Sequence, residues 1–379
     1  MQTQAKMIDP RITDSTAQAS QWQLIWSRFR KHRLAMIGLV LVGMLYFVAA
    51  FAEFFQPFDP ISTSSIHVYH PPQAIHLFET GTDGGWSFRP HVIDLELTRD
   101  PLTLAANYAE IPQSKTYIQF FGETEPYLLA GVIPMQHKLL STEQGGRFYL
   151  FGADRMGRDL FSRTISGTRI SMSIGLVGVG FSLFLGLLIG GVAGYYAGWF
   201  DTLSSRIIEL IMAMPTIPIW LGLSAAIPAN WDPLTRYFAI TVILSLVGWT
   251  ELARVVRGRF FALKTEDFVV AARLDGAPPL RVIFRHMMPS LVSHIIASVS
   301  LAIPAMILAE TSLSFLGLGL LPPSVSWGVL LKEAQNIRAI ASAPWLFIPG
   351  AFVAVAVLSL NFLGDGLRDA ADPYAQERG

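Results

Sequence analysis

The 379-residue chain contains no cysteine, and only 15% of its residues are charged. The lack of thiols excludes disulfide scaffolds, thiolate metal centres and cysteine nucleophiles. The 28 basic and 28 acidic residues give a formal net charge of zero, so no overall positive field favours nucleic acid, and we expect no nucleic-acid partner. Hydrophobic residues make up 52% of the chain and the mean hydropathy is +0.44. So few charges cannot cover the surface of a soluble protein, which predicts contact with membrane lipid.

The apolar residues are concentrated in six long runs. The first, at 34–55, contains the single charge Glu53, and as a helix it would be about 33 Å long, enough to cross a hydrocarbon core of about 30 Å. No small-residue cleavage pattern follows it, which favours a membrane anchor over a signal peptide. The other runs lie at approximately 170–198, 207–227, 235–253, 291–313 and 345–363. We therefore predict an all-α polytopic membrane protein with six transmembrane helices.

The charges between these runs predict the orientation. The N-terminal tail ends in a basic cluster at 28–33, and the segment 254–285 has seven basic and three acidic residues. The segment 56–154 has five basic and eleven acidic residues. Because basic loops stay in the cytoplasm, both termini are predicted there and the acidic segment outside. The predicted organisation is a cytoplasmic tail at 1–33, a first helix at 34–55, an extracytoplasmic insertion at 56–165 and a core of five helices at 166–373.

The insertion combines turn residues with short β-prone runs at 117–121 and 147–151, which predicts a small, mostly β domain between helices 1 and 2. Five of the eight histidines lie in it, and their spacing fits no strong metal motif, so we predict no metal site. These histidines are His67, His70, His76, His91 and His137. Contact with a partner protein is a better use of an exposed domain.

The most informative segment is 264–289, KTEDFVVAARLDGAPPLRVIFRHMMP. Thr265 is a plausible N-cap, Gly276 suits a left-handed C-terminal cap, and Pro278-Pro279 can open a second helix but cannot continue the first. The pattern predicts two short helices joined by a rigid turn. From these residues alone, the segment is either a docking surface or an amphipathic helix resting on lipid headgroups.

This segment resembles the coupling loop of ABC importer permeases, which has the pattern Glu-Ala-Ala, three residues, Gly, and then a Pro about a dozen residues later. Val270 stands where the family usually has Glu. Other segments are similar to the permeases of dipeptide and oligopeptide importers, specifically the C-type subunit. These segments are 21–60, 151–159, 190–201, 249–258, 313–319, 326–328, 361–369 and 372–373. The resemblance covers most of the chain except about 61–150, which is longer than the family usually has.

The resemblance implies a permease subunit of the bacterial inner membrane that forms half of a path for peptides or similar small solutes. It also implies three kinds of partner: a second permease subunit in a heterodimer, two ATPase subunits or domains, and an extracytoplasmic solute-binding protein. The sequence has no GxxxxGK[ST] motif, so ATP and Mg would be bound by the partner ATPase chains, and we expect no cofactor and no enzymatic activity in this chain. The residues expected to contact the ATPase are Val270, Ala271, Ala272, Gly276, Arg281, Arg285, His286 and Pro289.

Two alternatives to peptide import stay open from the sequence. The same machinery imports oligosaccharides, opines or metal chelates in related families. A stand-alone secondary transporter is less favoured, because we find no clear internal repeat.

Two features of the membrane helices point to packing and hinges. Gly186, Gly190, Gly194 and Gly198 lie four residues apart, which predicts a face for close helix packing, although glycine is also enriched at random in membrane helices. Three prolines interrupt predicted spans and are equally consistent with hinges or static bends: Pro215, Pro218 and Pro304.

Ionisable residues in or near the spans are candidates for the path or its gate. The three-residue spacings of Arg206 with Glu209 and of Glu251 with Arg254 predict structural ion pairs rather than contacts with cargo. Glu310 is predicted near the outer end of its helix, where it either lines the mouth of the path or caps the following turn. The candidate path or gate residues are Glu209, Pro215, Glu251, Pro304 and Glu310.

Overall fold

A computed structural model describes residues 21–80, 85–99, 106–143, 145–228, 230–336 and 341–371. The predicted tail at 1–20 and the Asp372-Pro373 pair lie outside these ranges. The helices before the insertion are α1 (Gln21–Phe29), α2 (Arg33–Ala50) and α3 (Ala52–Phe55). The later ones are α4 (Leu160–Tyr196), α5 (Gly198–Ala213), α6 (Thr216–Ala225), α7 (Pro233–Leu263), α8 (Asp267–Leu274), α9 (Pro279–Arg281), α10 (Val292–Phe315), α11 (Trp327–Lys332) and α12 (Ile348–Ala371).

Five helical stretches of the described residues are long and apolar enough to cross a membrane. They are Arg33–Ala50, Leu160–Tyr196, Pro233–Leu263, Pro279–Phe315 and Pro344–Ala371. The pair α5 and α6 passes the same test together but is bent by 91°. By length and composition, the described residues therefore provide five candidate spans, or six if the bent pair counts as one, which agrees with the predicted membrane class.

Several boundaries differ from the prediction, including the start of α4 and the middle of the predicted third span. Helix α4 begins at Leu160, inside the segment assigned to the insertion, because the Asp159 carboxylate accepts the backbone N–H groups of Phe161 and Ser162 and caps the helix there. The predicted third span at 207–227 breaks at Met214-Pro215, since Pro215 has no N–H to continue the preceding helix. Pro218 lies in the first turn of α6, where a missing N–H has no intrahelical partner to lose.

The insertion is mostly β, as predicted. Its described residues form the strands β1 (His76–Thr80), β2 (Trp86–Arg99), β3 (Ala106–Phe120), β4 (Glu123–Leu129), β5 (Ile133–His137) and β6 (Leu140–Thr142). A four-stranded antiparallel sheet has the order β1-β2-β3-β6, and β4 and β5 form a separate hairpin. A small core of Val92, Ile118, Leu140 and Phe148 lies on one face of the sheet.

Helix α4 defines the two ends of the bundle. It leaves the insertion at Leu160, and near its other end Tyr195 belongs to a cluster with Phe260 and Val269. Because α4 is about 55 Å long at 1.5 Å per residue, the β insertion and the segment 264–289 lie at opposite ends of the bundle. Helix α4 packs along α7 and runs parallel to it, since Ser173 contacts Tyr237, Gly178 contacts Ser245 and Gly186 faces Leu252.

Candidate functional site

The segment 264–291 forms a bent unit, here called the elbow. Helix α8 ends in a Schellman motif: the Ala277 N–H bonds the Ala272 carbonyl at 3.1 Å, and the Gly276 N–H bonds the Arg273 carbonyl at 3.1 Å. Gly276 has φ of +76°, a left-handed conformation that glycine adopts without the steric cost of a Cβ. Pro278 and Pro279 then open α9, so the turn forms as the sequence predicts.

The N-terminal cap of α8 differs from the prediction. The helix begins at Asp267, and Glu266 rather than Thr265 is the N-cap residue. The Thr265 hydroxyl instead donates to the Ala262 carbonyl at 3.1 Å, which is a bond back into α7. The sequence pattern misplaced the cap because α7 runs on to Leu263, ten residues past its predicted end.

The second arm of the elbow is irregular. After α9, a π-helical turn at Val282–Met287 and a 3₁₀ turn at Met288–Leu291 lead into α10. Pro289 removes a backbone donor at this point, so the preceding carbonyls lack a regular α-helical partner, and the helix changes its winding. The elbow therefore continues into helix α10 with only a local change in helical winding.

One face of the elbow is buried on the bundle. Val269, Ala272, Val282, Ile283 and Met287 form one apolar cluster with residues of α4 and α7 that include Tyr195, Val256 and Phe260. Each of these five elbow side chains is buried. The elbow is thus attached to the parallel helices α4 and α7 by close apolar packing, and Ala272 packs against this chain's own bundle.

The opposite face of the elbow is open. Leu274 is 82% exposed and Leu280 66% exposed, although apolar side chains of this size are usually buried. Phe268, Val270 and Phe284 are also exposed on it. Of the other predicted contact residues, His286 is half-buried, and the exposed ones are Ala271, Gly276, Arg281, Arg285 and Pro289.

The glycine face packs α4 on α7 at three of its four predicted positions. A Cβ at Gly186 would lie 2.9 Å from Leu252 Cβ, one at Gly190 would lie 2.9 Å from Ala253 Cα, and one at Gly194 would lie 2.8 Å from the Arg257 carbonyl oxygen. Such distances leave no space for a side chain. Gly198 does not belong to this face: it is exposed, has φ of +72° and begins α5 after the turn that ends α4.

An ion pair that the sequence did not reveal joins α5 to α7 beside the elbow. The Arg257 guanidinium makes two contacts with the Asp201 carboxylate, one of them from Nη2 to Oδ2 at 2.9 Å. The Arg257 guanidinium also lies over the Phe261 ring, 5.0 Å from its centroid. The two partners are 56 residues apart, and no local spacing in a single sequence pairs them.

The two predicted local ion pairs have different outcomes. Arg206 donates to Glu209 at 2.9 Å, and both side chains are well exposed. Glu251 and Arg254 do not form an ion pair among the described residues. The Arg254 guanidinium instead lies 3.0 Å from Met212 Sδ, across the interface between α5 and α7.

A cavity of about 490 Å³ lies between α4, α7 and α10. Its walls are mainly small or apolar, including Ala305 and Met306, and three ionisable side chains also line it: Glu251, His294 and Arg368. Pro304 is buried inside α10, and the helix continues through it, so it does not end the span. Residues of several spans therefore line this one cavity.

Glu310 supports the turn that follows its helix. It is fully buried, and its Oε1 accepts the hydroxyl groups of Ser314 and Ser326 at 2.8 Å each. Ser326 caps α11 through the Val329 N–H, and Ser314 accepts the Leu320 N–H at 2.9 Å. Of the two predicted roles, this geometry matches the cap of the following turn, because the side chain is closed off from the cavity.

At the insertion end, a second set of charges is buried. Arg158 Nε donates to Asp154 Oδ2 at 2.6 Å, and its Nη2 donates to Glu333 Oε1 at 3.0 Å. Arg163 Nε lies 3.5 Å from the same Asp154 oxygen, and Arg163 Nη1 donates to the Pro60 carbonyl at 2.9 Å. Burial, together with the nearby Asp154 charge, raises the pKa of the Glu333 carboxyl. This network, here called the insertion-end network, joins the 151–159 segment to α4 and to the segment after α10.

These features define a polytopic membrane permease whose elbow is packed on the helix bundle by one face and exposed on the other. Residues 186–376 match the family described as the binding-protein-dependent transport system inner membrane component. Residues 20–72 match the N-terminal TM domain of oligopeptide transport permease C. The chain belongs to this family, so it is a transmembrane permease subunit of an ABC importer, and the resemblance seen in the sequence is confirmed.

Curated relatives cover much of the chain. The oligopeptide transport system permease protein OppC of Bacillus subtilis is 28% identical over 355 residues, which are 93% of this chain and 90% of that protein. The dipeptide transport system permease protein DppC of B. subtilis is 37% identical over 225 residues, 59% of this chain and 68% of that protein. OppC of Haemophilus influenzae is 37% identical over 227 residues, 60% of this chain and 70% of that protein.

One solved structure, titled as inward facing conformations of the MetNI methionine ABC transporter, overlaps 55% of this chain and 96% of its own. Its identity to this chain is 17% and its TM-score is 0.41, too low a likeness to support a conclusion.

Proposed function

We propose that the chain forms half of a peptide path in the bacterial inner membrane, with separate ATPase chains acting on its cytoplasmic elbow. In this proposal a second, different permease subunit completes the path and an extracytoplasmic binding protein delivers the cargo. ATP and Mg are held by the ATPase chains, and this chain needs no cofactor of its own.

The observation that carries the proposal is the two-sided elbow. Its inner face is packed on the parallel helices α4 and α7, whereas Leu274, Leu280 and Phe284 present apolar surface outward. A partner that binds the outer face would move these two helices with it, since the apolar cluster packs the elbow closely against them. An interfacial helix that only rests on lipid would have no need for a fixed turn at Gly276.

The orientation is supported by charge. The elbow carries the exposed residues Arg273, Arg281 and Arg285, as expected for a cytoplasmic segment.

A peptide cargo is supported by the relatives and by the cavity. The relatives' names refer to oligopeptide and dipeptide transport. Glu251 and Arg368 supply one carboxylate and one guanidinium to an otherwise mostly apolar cavity, which suits the two charged termini of a peptide.

The test is Leu274→Asp in the complex purified from its native membrane and reconstituted in vesicles. A charge on the outer face of the elbow should uncouple the ATPase, with a loss of cargo-stimulated ATP hydrolysis and of uptake by tenfold or more. The matched control is Ile66→Asp, which introduces the same charge at an apolar side chain that is 67% exposed in the insertion. It should leave both activities close to those of the parent chain.

Two results would contradict the proposal. One is full cargo-stimulated hydrolysis by the Leu274→Asp complex. The other is labelling of an Asp275→Cys variant by an impermeant maleimide from outside intact cells, which is readable because the chain has no native cysteine.

A further inference from the structure

The β4–β5 hairpin of the insertion is attached to the end of the first membrane helix. At its tip, the Ala130 N–H donates to Glu53 Oε2 at 3.3 Å. At its base, the Leu139 N–H donates to the Phe54 carbonyl at 3.0 Å, and Lys138 Nζ donates to the Pro57 carbonyl at 3.1 Å. Both ends of the hairpin are therefore fixed to the short segment 53–57.

That segment lies where α2 leaves the membrane. The apolar span ends at Ala50, and the Arg169 guanidinium of α4 closes the helix end by donating to the carbonyls of Ala49 at 2.8 Å and Ala50 at 3.2 Å. The same guanidinium pairs with the Glu53 carboxylate, with Nη2 2.6 Å from Oε2. A charged pair of this kind at a helix end belongs at the boundary between hydrocarbon and water.

Aromatic side chains continue the lipid-facing surface of α2 into the insertion. Phe47 is 55% exposed on the span, and its ring centroid lies 5.8 Å from that of Phe55. Phe55 contacts Phe54 at 5.4 Å, and Phe54 contacts Phe121, directly before the hairpin, at 6.0 Å. The row is continuous from a membrane-facing helix to the base of the hairpin.

The hairpin itself exposes large apolar side chains beside this row. Val132 at the tip is 76% exposed, and Leu128 and Ile133 are each more than half exposed, as is Phe121 just before the hairpin. Four such residues in so small a region are costly in water. Tyr127, next to Leu128, donates its hydroxyl to the His137 carbonyl at 2.7 Å, the amphipathic arrangement typical of residues at a membrane interface.

We propose that the β4–β5 hairpin, Glu123–His137, is a membrane-interface anchor whose tip dips its apolar side chains into the lipid next to the first transmembrane helix. The occupant of this surface is the bilayer itself. The anchor holds the β insertion against the membrane through a contact separate from its polypeptide connections, and it depends only on α2 crossing the membrane, not on the direction of transport.

The experiment uses single-cysteine variants of the full chain, which need no background mutations because the chain has no cysteine. A nitroxide on Val132→Cys in phosphatidylethanolamine–phosphatidylglycerol nanodiscs should collide several-fold more with dissolved oxygen than with an aqueous nickel chelate. Met44→Cys, on the exposed face of α2, gives the lipid reference, and Ile66→Cys gives the water reference. Ile133→Cys repeats the measurement one residue further along in case Val132→Cys folds poorly.

Two outcomes overturn the proposal. If the Val132 and Ile133 labels respond to the nickel chelate as the Ile66 label does, the hairpin stands in water. If both labels are open to the chelate and become shielded only after the solute-binding protein is added, the surface is a protein docking site rather than a lipid anchor.

Discussion

The two ends of the helix bundle are stabilised in different ways. At the insertion end, Asp154, Arg158 and Arg163 are buried and paired with one another and with Glu333. At the elbow end, Arg273, Arg281 and Arg285 are exposed, and an apolar cluster makes the attachment. Polar contacts specify a single geometry at the first end, whereas at the second the packing fixes one face and leaves the other open.

This difference in packing indicates which end of the helix bundle is expected to bind and release partners. A buried ion network is sensitive to the loss of any one member, because the remaining charges are then unpaired away from water. An elbow held on one face by apolar side chains tolerates changes on its free face. The following experiments test this contrast.

The largest effect is expected from Arg158→Met at the insertion end. Removing the guanidinium leaves Asp154 and Glu333 buried without their main partner, and the free energy of unfolding should fall by about 3–5 kcal/mol. Thermal unfolding in detergent or nanodiscs measures this. The matched control is Arg206→Met, because the pair of Arg206 with Glu209 has side-chain exposures of 76% and 64% and should contribute at most about 1 kcal/mol. Equal losses in the two variants would refute the contrast.

A smaller effect is expected from Gly190→Ala, at the interface between the parallel helices α4 and α7. The added Cβ would lie 2.9 Å from Ala253 Cα and 3.0 Å from its carbonyl carbon, so the helix backbones must separate, at a cost of about 1–3 kcal/mol. Gly180→Ala is the control on the same helix, since a Cβ there meets nothing within 4 Å. It should be neutral or slightly stabilising because alanine favours the helix. A stable Gly190→Ala variant would mean that the two helices are not closely packed.

The smallest effect is a pH dependence from His70 in the insertion. Burial lowers the pKa of the His70 imidazole from 6.5 to about 4. The folded chain therefore binds fewer protons than the unfolded chain in this window, so stability falls as the pH drops from 6.5 to 4.

The readout for His70 is the difference in thermal unfolding between the parent and a His70→Gln variant across that range. The variant should lose this part of the pH dependence. His137→Gln, at an exposed histidine, serves as the control and should retain it. Parallel pH profiles for the parent chain and His70→Gln would show that His70 is not responsible.

Much of the fold follows from local sequence. The apolar runs predicted the membrane class, the turn residues predicted a β insertion, and Gly276 with Pro278-Pro279 predicted the elbow turn, because each depends on residues close together in the chain. The glycine face was also predictable at Gly186, Gly190 and Gly194, since a spacing of four residues puts them on one side of a helix. Gly198 was assigned wrongly because the same spacing continues past the end of that helix.

The parts that the sequence did not reveal depend on contacts between distant segments. Asp201 with Arg257 and Arg158 with Glu333 join residues far apart in the chain, and no spacing rule pairs them. The break at Pro215 was marked by its proline, but a bend of 91° is set by how α5 packs on α7. The roles assigned to the elbow contact residues, and to Glu209, Glu251 and Pro304 in a path, stay predictions.

Helix α4 reaches both ends of the bundle. It runs for 37 residues without a proline, with its first turn in the insertion-end network and its last turn in the elbow cluster. A tilt of about 10° around its midpoint would carry each tip roughly 5 Å in opposite directions, given its length of about 55 Å. A rigid tilt of this helix in the bilayer would therefore displace its two ends together, without a series of side-chain rearrangements between them.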